Sequence, residues 1–232
     1  MTTGSGDALP GSDPAGRPPR RRSIQILVWF VAAVVAAQLL NMWLQDRRLP
    51  DPPQILSNAA MLADHRAPTL GPATSDVTIY LFSDYACPSC RAMQPDLIKL
   101  IASDRNVRIV YRDWPVLTPN SVRAARLAIA SVAQGRHGAF DAALMQHGGS
   151  LDDVALQGAA ARAGVDWPRL LADYIQRRGA IDDLVAQSNS FAHALGFVGT
   201  PTMIVGPYLV AGRQSPERLR ELLAMARGQS PH

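Results

Sequence analysis

The sequence predicts an α/β fold, a sheet with helices on its faces, carrying an all-helical insertion and preceded by one N-terminal transmembrane helix. Three observations predict it. A strand–helix–strand run lies between Asp76 and Val116. An alanine-rich stretch from Asn120 to Phe197 has helical spacing and glycine stops. The chain then returns to a β-hairpin and a last helix.

The elements follow in order. Residues Met1 to Pro19 are rich in Gly, Pro, Ser, Thr and Asp, a composition that buries too little apolar surface to order itself. The run from Ile24 to Leu44 is apolar, and at ~1.5 Å per residue it matches a bilayer core of ~30 Å. Trp29 and Trp43 suit the two interfaces. A cleaved signal peptide is the alternative, since "VAA" before Gln38 is a small-residue site, but the apolar run continues past it. The twin-arginine match in "RRRSIQIL" is weak. Arginines flank both ends, with the denser cluster, Arg20 to Arg22, in front. That cluster predicts a cytoplasmic N-terminus and an exported C-terminal domain.

"LPDPPQILSNAAMLADHRAPTLG" reads as a proline-rich connector ending near Gly71. "DVTIYLFSD" is a buried strand, "CPSCRAMQPDLIKLIASD" a helix that Pro95 would kink or end in its first turn, and "VRIVYRDWPV" a second strand, parallel to the first. Gly135, Gly148 with Gly149, and Gly164 punctuate the helical stretch. "TMIVG" and "YLVAG" flank Gly206 and Pro207 as a hairpin. Ser215 caps a final helix, with Pro216 at its first position and Gly228 at its stop. The expected divisions are therefore a disordered cytoplasmic tail (1–22), an anchor (23–45), a linker (46–71) and a folded domain (72–228) with its helical insert at about 118–196.

The 232 residues are 47% hydrophobic, enough for a real core. The net charge of +4 comes mostly from the N-terminal segment, and no basic stripe interleaved with aromatics follows it, so nucleic-acid binding is set aside.

Both cysteines stand in "FSDYACPSCRAM". Cys87 falls where the first strand hands over to a helix, whose free amides and dipole favour a thiolate. Pro88 suits an early helical position, and Cys90 lies on the same face one turn deeper, placed to attack a mixed disulfide at Cys87. The alternatives are half of a metal site and a passive staple. Zinc generally needs three or four ligands, and His65, His137, His147, His193 and His232 form no ligand spacing with the pair. A staple across so small a loop restrains little. A redox centre in an exported domain is the reading favoured, with a copper- or zinc-handling module and an inert scaffold as competitors. Far off in sequence, "GFVGTPTMIVG" puts Thr200 and Pro201 directly before a β-run, marking an edge, a strand start or a cis bond.

The strand into "CPSC" at a helix start, the helical insert and "GTPT" before a terminal hairpin resemble the thioredoxin superfamily, and within it the DsbA family of exported thiol-disulfide oxidoreductases. The resemblance runs from about Asp76 to Ala226 and includes "RDWPV", "AQGRHGAF" and "ARAGVDW". It implies a thioredoxin-like fold, Cys87 as attacking thiolate, Cys90 as resolving thiol, Pro201 as a cis-proline facing the pair, and Thr200 offering its backbone to a substrate polypeptide. It implies no cofactor beyond a redox-active Cys87–Cys90 disulfide. The implied partners are polypeptides bearing thiols or disulfides and a redox partner, such as a membrane thiol oxidoreductase; residues 24–44 would hold the membrane. Oxidation of substrate thiols is the leading direction, with reductase or isomerase action as the alternative. Many relatives carry a buried Glu six residues before the first cysteine, where this chain has Leu81. Asp84 is expected nearer the strand end and more exposed, and Asp84, Tyr85, Pro88, Ser89 and Arg91 are expected to shape the surface around the pair.

Overall fold

The computed structural model describes residues 20–45, 62 and 64–228. Of the expected disordered tail, residues 1–22, the first nineteen lie outside them, as does most of the expected linker; Arg20 to Arg22 are corrected to the first turn of a helix, continuous with the apolar run that follows. Helix α1 (Arg20–Gln45) belongs to one compact unit and every later element to a second. No helix of the described residues is long and apolar enough to cross a membrane. The expected anchor draws also on side chains outside that set.

In the second unit, β1 (Thr69–Leu70), β2 (Val77–Ser83), β3 (Val107–Asp113), β4 (Thr202–Val205) and β5 (Tyr208–Ala211) form one sheet in the order β1-β3-β2-β4-β5. β2 and β3 are parallel, joined through helix α2 (Pro88–Ser103), and their register sets Leu81 against Tyr111 and Ser83 against Asp113. The other pairings are antiparallel, and β4–β5 is the expected hairpin. One face of the sheet, with Ile79, Leu81, Ile109 and Met203, packs on Met93 and Leu97 of α2 and on Leu219 and Leu222 of α7 (Pro216–Ala226). Between β3 and β4 stand α3 (Pro119–Ala130), α4 (His137–Met145), α5 (Asp153–Arg162) and α6 (Trp167–Ala194). The last returns across the opposite face, where Ala192 and Phe191 meet Phe82, Trp114 and Ile204.

Local signals start these helices. Thr118 and Ser121 form a reciprocal capping box on α3, while Asp152, Asp166 and Ser215 cap α5, α6 and α7. Of the two outcomes expected at Pro95, the early helix end does not occur. Pro95 sits inside α2, which continues to Ser103 because Met93, Leu97 and Leu100 are buried on both sides of it. Packing of an amphipathic face outweighs the single backbone bond that Pro95 removes.

The linker expected to run to Gly71 is also corrected at its end. Thr69 and Leu70 pair with Val110 and Ile109 as an edge strand, too short to show an alternating pattern in the sequence. Gly71 then turns the chain at a φ of +99°, and a Cβ there would stand 2.4 Å from the carbonyl oxygen of Val107. Gly71→Ala therefore meets both a steric and a conformational penalty and is expected to cost about 2 kcal/mol or more by urea denaturation. Gly135→Ala, with a φ of +65° and nothing within 4 Å of its Cβ, is expected to cost about 1 kcal/mol. Equal costs would show that the close approach at Gly71 is unimportant.

Candidate functional site

The site is built where β2 ends. Ser83 closes the strand by accepting the amide of Trp114 at 2.8 Å, and Asp84 begins the turn into α2. Asp84 is fully buried, contrary to the exposure expected for it. Its carboxylate accepts the amides of Ala86 at 2.7 Å, Val116 at 2.7 Å and Leu117 at 2.8 Å, together with the Ser121 hydroxyl at 3.1 Å. The carboxylate is tied to the first residues of the insert, so it turns inward. Tyr85 is likewise buried and lines the core rather than the surface. Pro88 and Ser89 are exposed, as expected, and Arg91 binds the carbonyl of His147 at 2.9 Å.

Cys87 is the N-cap of α2, with extended backbone, and Pro88 opens the helix. Its sulfur lies 3.3 Å from the carbonyl oxygen of Thr200, and the Thr200–Pro201 peptide bond is cis. The two sequence signals, distant in the chain, thus meet: β4 pairs with β2 and brings Thr200 and Pro201 against the start of α2. The carbonyl of Pro201 accepts the Gly212 amide at 2.7 Å, and Thr202 bonds back to Gly199 at 2.7 Å, which fixes this wall.

Both cysteines are free thiols in this structure, and their environments differ. Burial pushes the Cys87 thiol up, but the Thr200 side chain, the sulfur of Cys90 and the amides of Cys90 and Ser89 act the other way and leave it below the ordinary value. Cys90, deeper in the core, is pushed by burial up to about 12. The outer thiol is therefore the one that ionises first. Among the described residues no group of three or more His, Cys, Asp or Glu side chains is placed to hold a metal ion.

Behind the pair lies a polar cluster that sequence reasoning missed. Asp141 of α4 accepts the Tyr85 hydroxyl at 3.2 Å and the Gln94 amide of α2. Burial raises Asp141 to about 7. Asp113, at the end of β3, is held well above the usual carboxylate range by burial and then by the charge of Asp141. His137 is driven down to about 3 by burial alone, its ring 4.7 Å from that of Tyr111. A single Asp in the apolar run "GAFDAALM" was the available signal, since an ionisable group on a buried helical face needs partners.

Removing the Asp84 carboxylate would strand three amides and a hydroxyl in the core. Asp84→Ala is therefore expected to lose about 3 to 5 kcal/mol in chemical denaturation. Asp84→Asn, which keeps one acceptor oxygen, is expected to lose less. A neutral effect of both would contradict its role as the tie between strand and insert.

Comparison with known proteins agrees with this architecture. The thioredoxin family model matches residues 64–224. A thioredoxin-like oxidoreductase from Silicibacter pomeroyi DSS-3 is 36% identical with a TM-score of 0.68, over 74% of this chain and 98% of that one. The thiol-disulfide exchange protein alpha-DsbA2 from Wolbachia pipientis is 25% identical with a TM-score of 0.72, over 75% and 94%. A curated relative, the Na(+)/H(+) antiporter NhaA 1 of Salinispora arenicola, is 31% identical over 58% of this chain, and the chain spans only 21% of that antiporter's length. The family match covers most of the chain and the structural likeness surrounds the cysteine pair, so the chain belongs to the thioredoxin family, among its DsbA-like thiol-disulfide oxidoreductases.

Proposed function

We propose that the protein is a membrane-anchored, exported oxidoreductase that exchanges disulfides with substrate proteins through Cys87 and Cys90, and that it works as an oxidase. The observation that carries the reading is the contrast between the two thiols. Cys87 sits at a helix N-terminus beside Thr200 with its thiolate favoured, while Cys90 is held protonated below about 12. Oxidation begins when a substrate thiolate attacks the Cys87 sulfur of a Cys87–Cys90 disulfide. Cys90 leaves and takes a proton. A second substrate thiolate attacks the substrate sulfur of the mixed disulfide and releases Cys87 as a thiolate, a good leaving group because that form is stabilised. The substrate loses two electrons and the pair gains them, so the sulfurs serve without a further cofactor. The same stabilisation of the reduced pair makes its disulfide oxidising, which favours the oxidase direction over the reductase and isomerase alternatives.

Thr200 offers its backbone beside Cys87, just before β4, where a substrate strand can add main-chain hydrogen bonds irrespective of its side chains. Exposed Val198, Val116 and Leu117 give apolar surface on the flanking loops. Pro88 and Ser89 tune the thiolate from the first turn of α2. The anchor reading is supported by α1, in which Ile26, Val28, Trp29, Phe30, Leu39 and Leu40 are all large apolar side chains and all exposed, a surface that water does not favour. A bilayer would bury it. With Arg20 to Arg22 on the cytoplasmic side, the protein crosses a bacterial inner membrane once and holds its redox domain in the periplasm, where a membrane thiol oxidoreductase would reoxidise it.

The direct test is Cys90→Ala in the full-length protein in cells. Mixed disulfides between Cys87 and thiol-bearing polypeptides are expected to accumulate, because the resolving thiol is gone. A folded Cys90→Ala protein that captures no partner through Cys87 would contradict the proposal.

A further inference from the structure

Asp141 lies in the helical insert, yet both of its carboxylate oxygens are taken by the segment that carries the cysteines. Tyr85, two residues before Cys87, binds one oxygen, and Gln94, one turn beyond Cys90 on the same face of α2, binds the other. Asp141, Tyr85 and Gln94 are all buried. We infer that Asp141 is a positioning carboxylate through which the helical insert sets the redox poise of the Cys87–Cys90 pair. The inference rests on the exchange reading above.

The route is electrostatic. Reduction of the pair breaks the S–S bond, takes two electrons and leaves Cys87 as thiolate and Cys90 as a thiol that has gained one proton. With glutathione as the donor, two glutathione thiols supply the electrons and join as glutathione disulfide. A negative charge gripping both ends of the CPSC segment from a low-dielectric interior opposes the new thiolate, and a neutral carboxyl does not.

The groups around Asp141 are specific. Tyr85 faces it from the turn after β2, Gln94 from α2, Tyr111 and Asp113 from β3, and His137 stands one turn earlier on α4. From α5, Arg162 reaches α4 but binds the carbonyl of Ala143 at 3.2 Å. Arg112 stacks on the Phe191 ring at 5.1 Å, and the Asp84 carboxylate is turned to Val116 and Leu117. Burial keeps Tyr85 and Tyr111 protonated and His137 uncharged through the neutral range, and it raises Asp113 well above the usual carboxylate range. Asp141, which holds the cysteine segment through Tyr85 and Gln94, is raised to about 7.

The test equilibrates the full-length protein in detergent micelles, wild type and Asp141→Asn, with glutathione buffers on either side of that midpoint, at about pH 6 and about pH 8. The two proteins are expected to match at the lower pH. At the higher pH the variant's disulfide is expected to be at least threefold easier to reduce, about 14 mV at ~30 mV per tenfold. Tyr85→Phe keeps the ring and removes one donor to the carboxylate, so the onset of the pH effect is expected to move upward. An offset of equal size at both pH values would mean altered packing alone and would overturn the inference, as would no difference in either variant. A wild-type protein that never exchanges with glutathione would overturn the exchange reading and the inference together.

Discussion

The structure depends on one placement: the sulfur of Cys87 at the N-terminus of α2, 3.3 Å from the carbonyl oxygen of Thr200. Neither neighbour is local. α2 starts there because β2 ends at Ser83, and Thr200 stands opposite because β4 pairs with β2 after the whole helical insert has intervened. The sheet order is therefore the device that joins two short motifs separated by more than half of the folded unit. A thiol so placed meets the amides of Ser89 and Cys90 and the Thr200 side chain, while the thiol one turn deeper is surrounded by core. The division of labour between the sulfurs follows from depth along one helix.

Holding that placement requires the insert as well as the sheet. Asp84 spans from the turn before Cys87 to the amides of Val116 and Leu117 and the hydroxyl of Ser121, so the first insert helix and the strand end share one buried carboxylate. Asp141 does the same from α4, through Tyr85 and Gln94. These buried acids face opposite constraints. Asp84 meets three amide donors and a hydroxyl, whereas Asp141 has two neutral donors, the Tyr85 hydroxyl and the Gln94 amide, with the Tyr111 phenol beside them, and its proton is retained to about 7. The Asp84 carboxyl, held by three amides and a hydroxyl, ties the strand to the insert, and the Asp141 carboxyl, with fewer donors, is raised by burial.

Much of this was legible in the sequence. The parallel pair β2 and β3, the helical insert, the terminal hairpin, Cys87 at a helix start and Pro201 at the head of a strand all carry local signals, of alternation, spacing, glycine stops or proline placement. The misses share a cause. β1 holds only two residues, and Pro95 stays inside α2, because tertiary contacts decide both. Asp84 was expected to be more exposed because it lies near the strand end, and its burial is set by amides of a loop more than thirty residues away. The cluster of Asp113, Asp141 and His137 was not foreseen, although His137 had been weighed as a ligand, since it depends on how α4 lies against β3 and α2, which no single stretch of sequence encodes.

The most direct measurement is the separate titration of the two thiols in the reduced full-length protein, followed by nuclear magnetic resonance of each cysteine's β-carbon. Cys87 is expected to ionise below the ordinary thiol range and Cys90 near about 12. Two cysteines that ionise together at the ordinary value, or Cys90 ionising first, would contradict the claim that depth along α2 and the Thr200 wall divide the work between them.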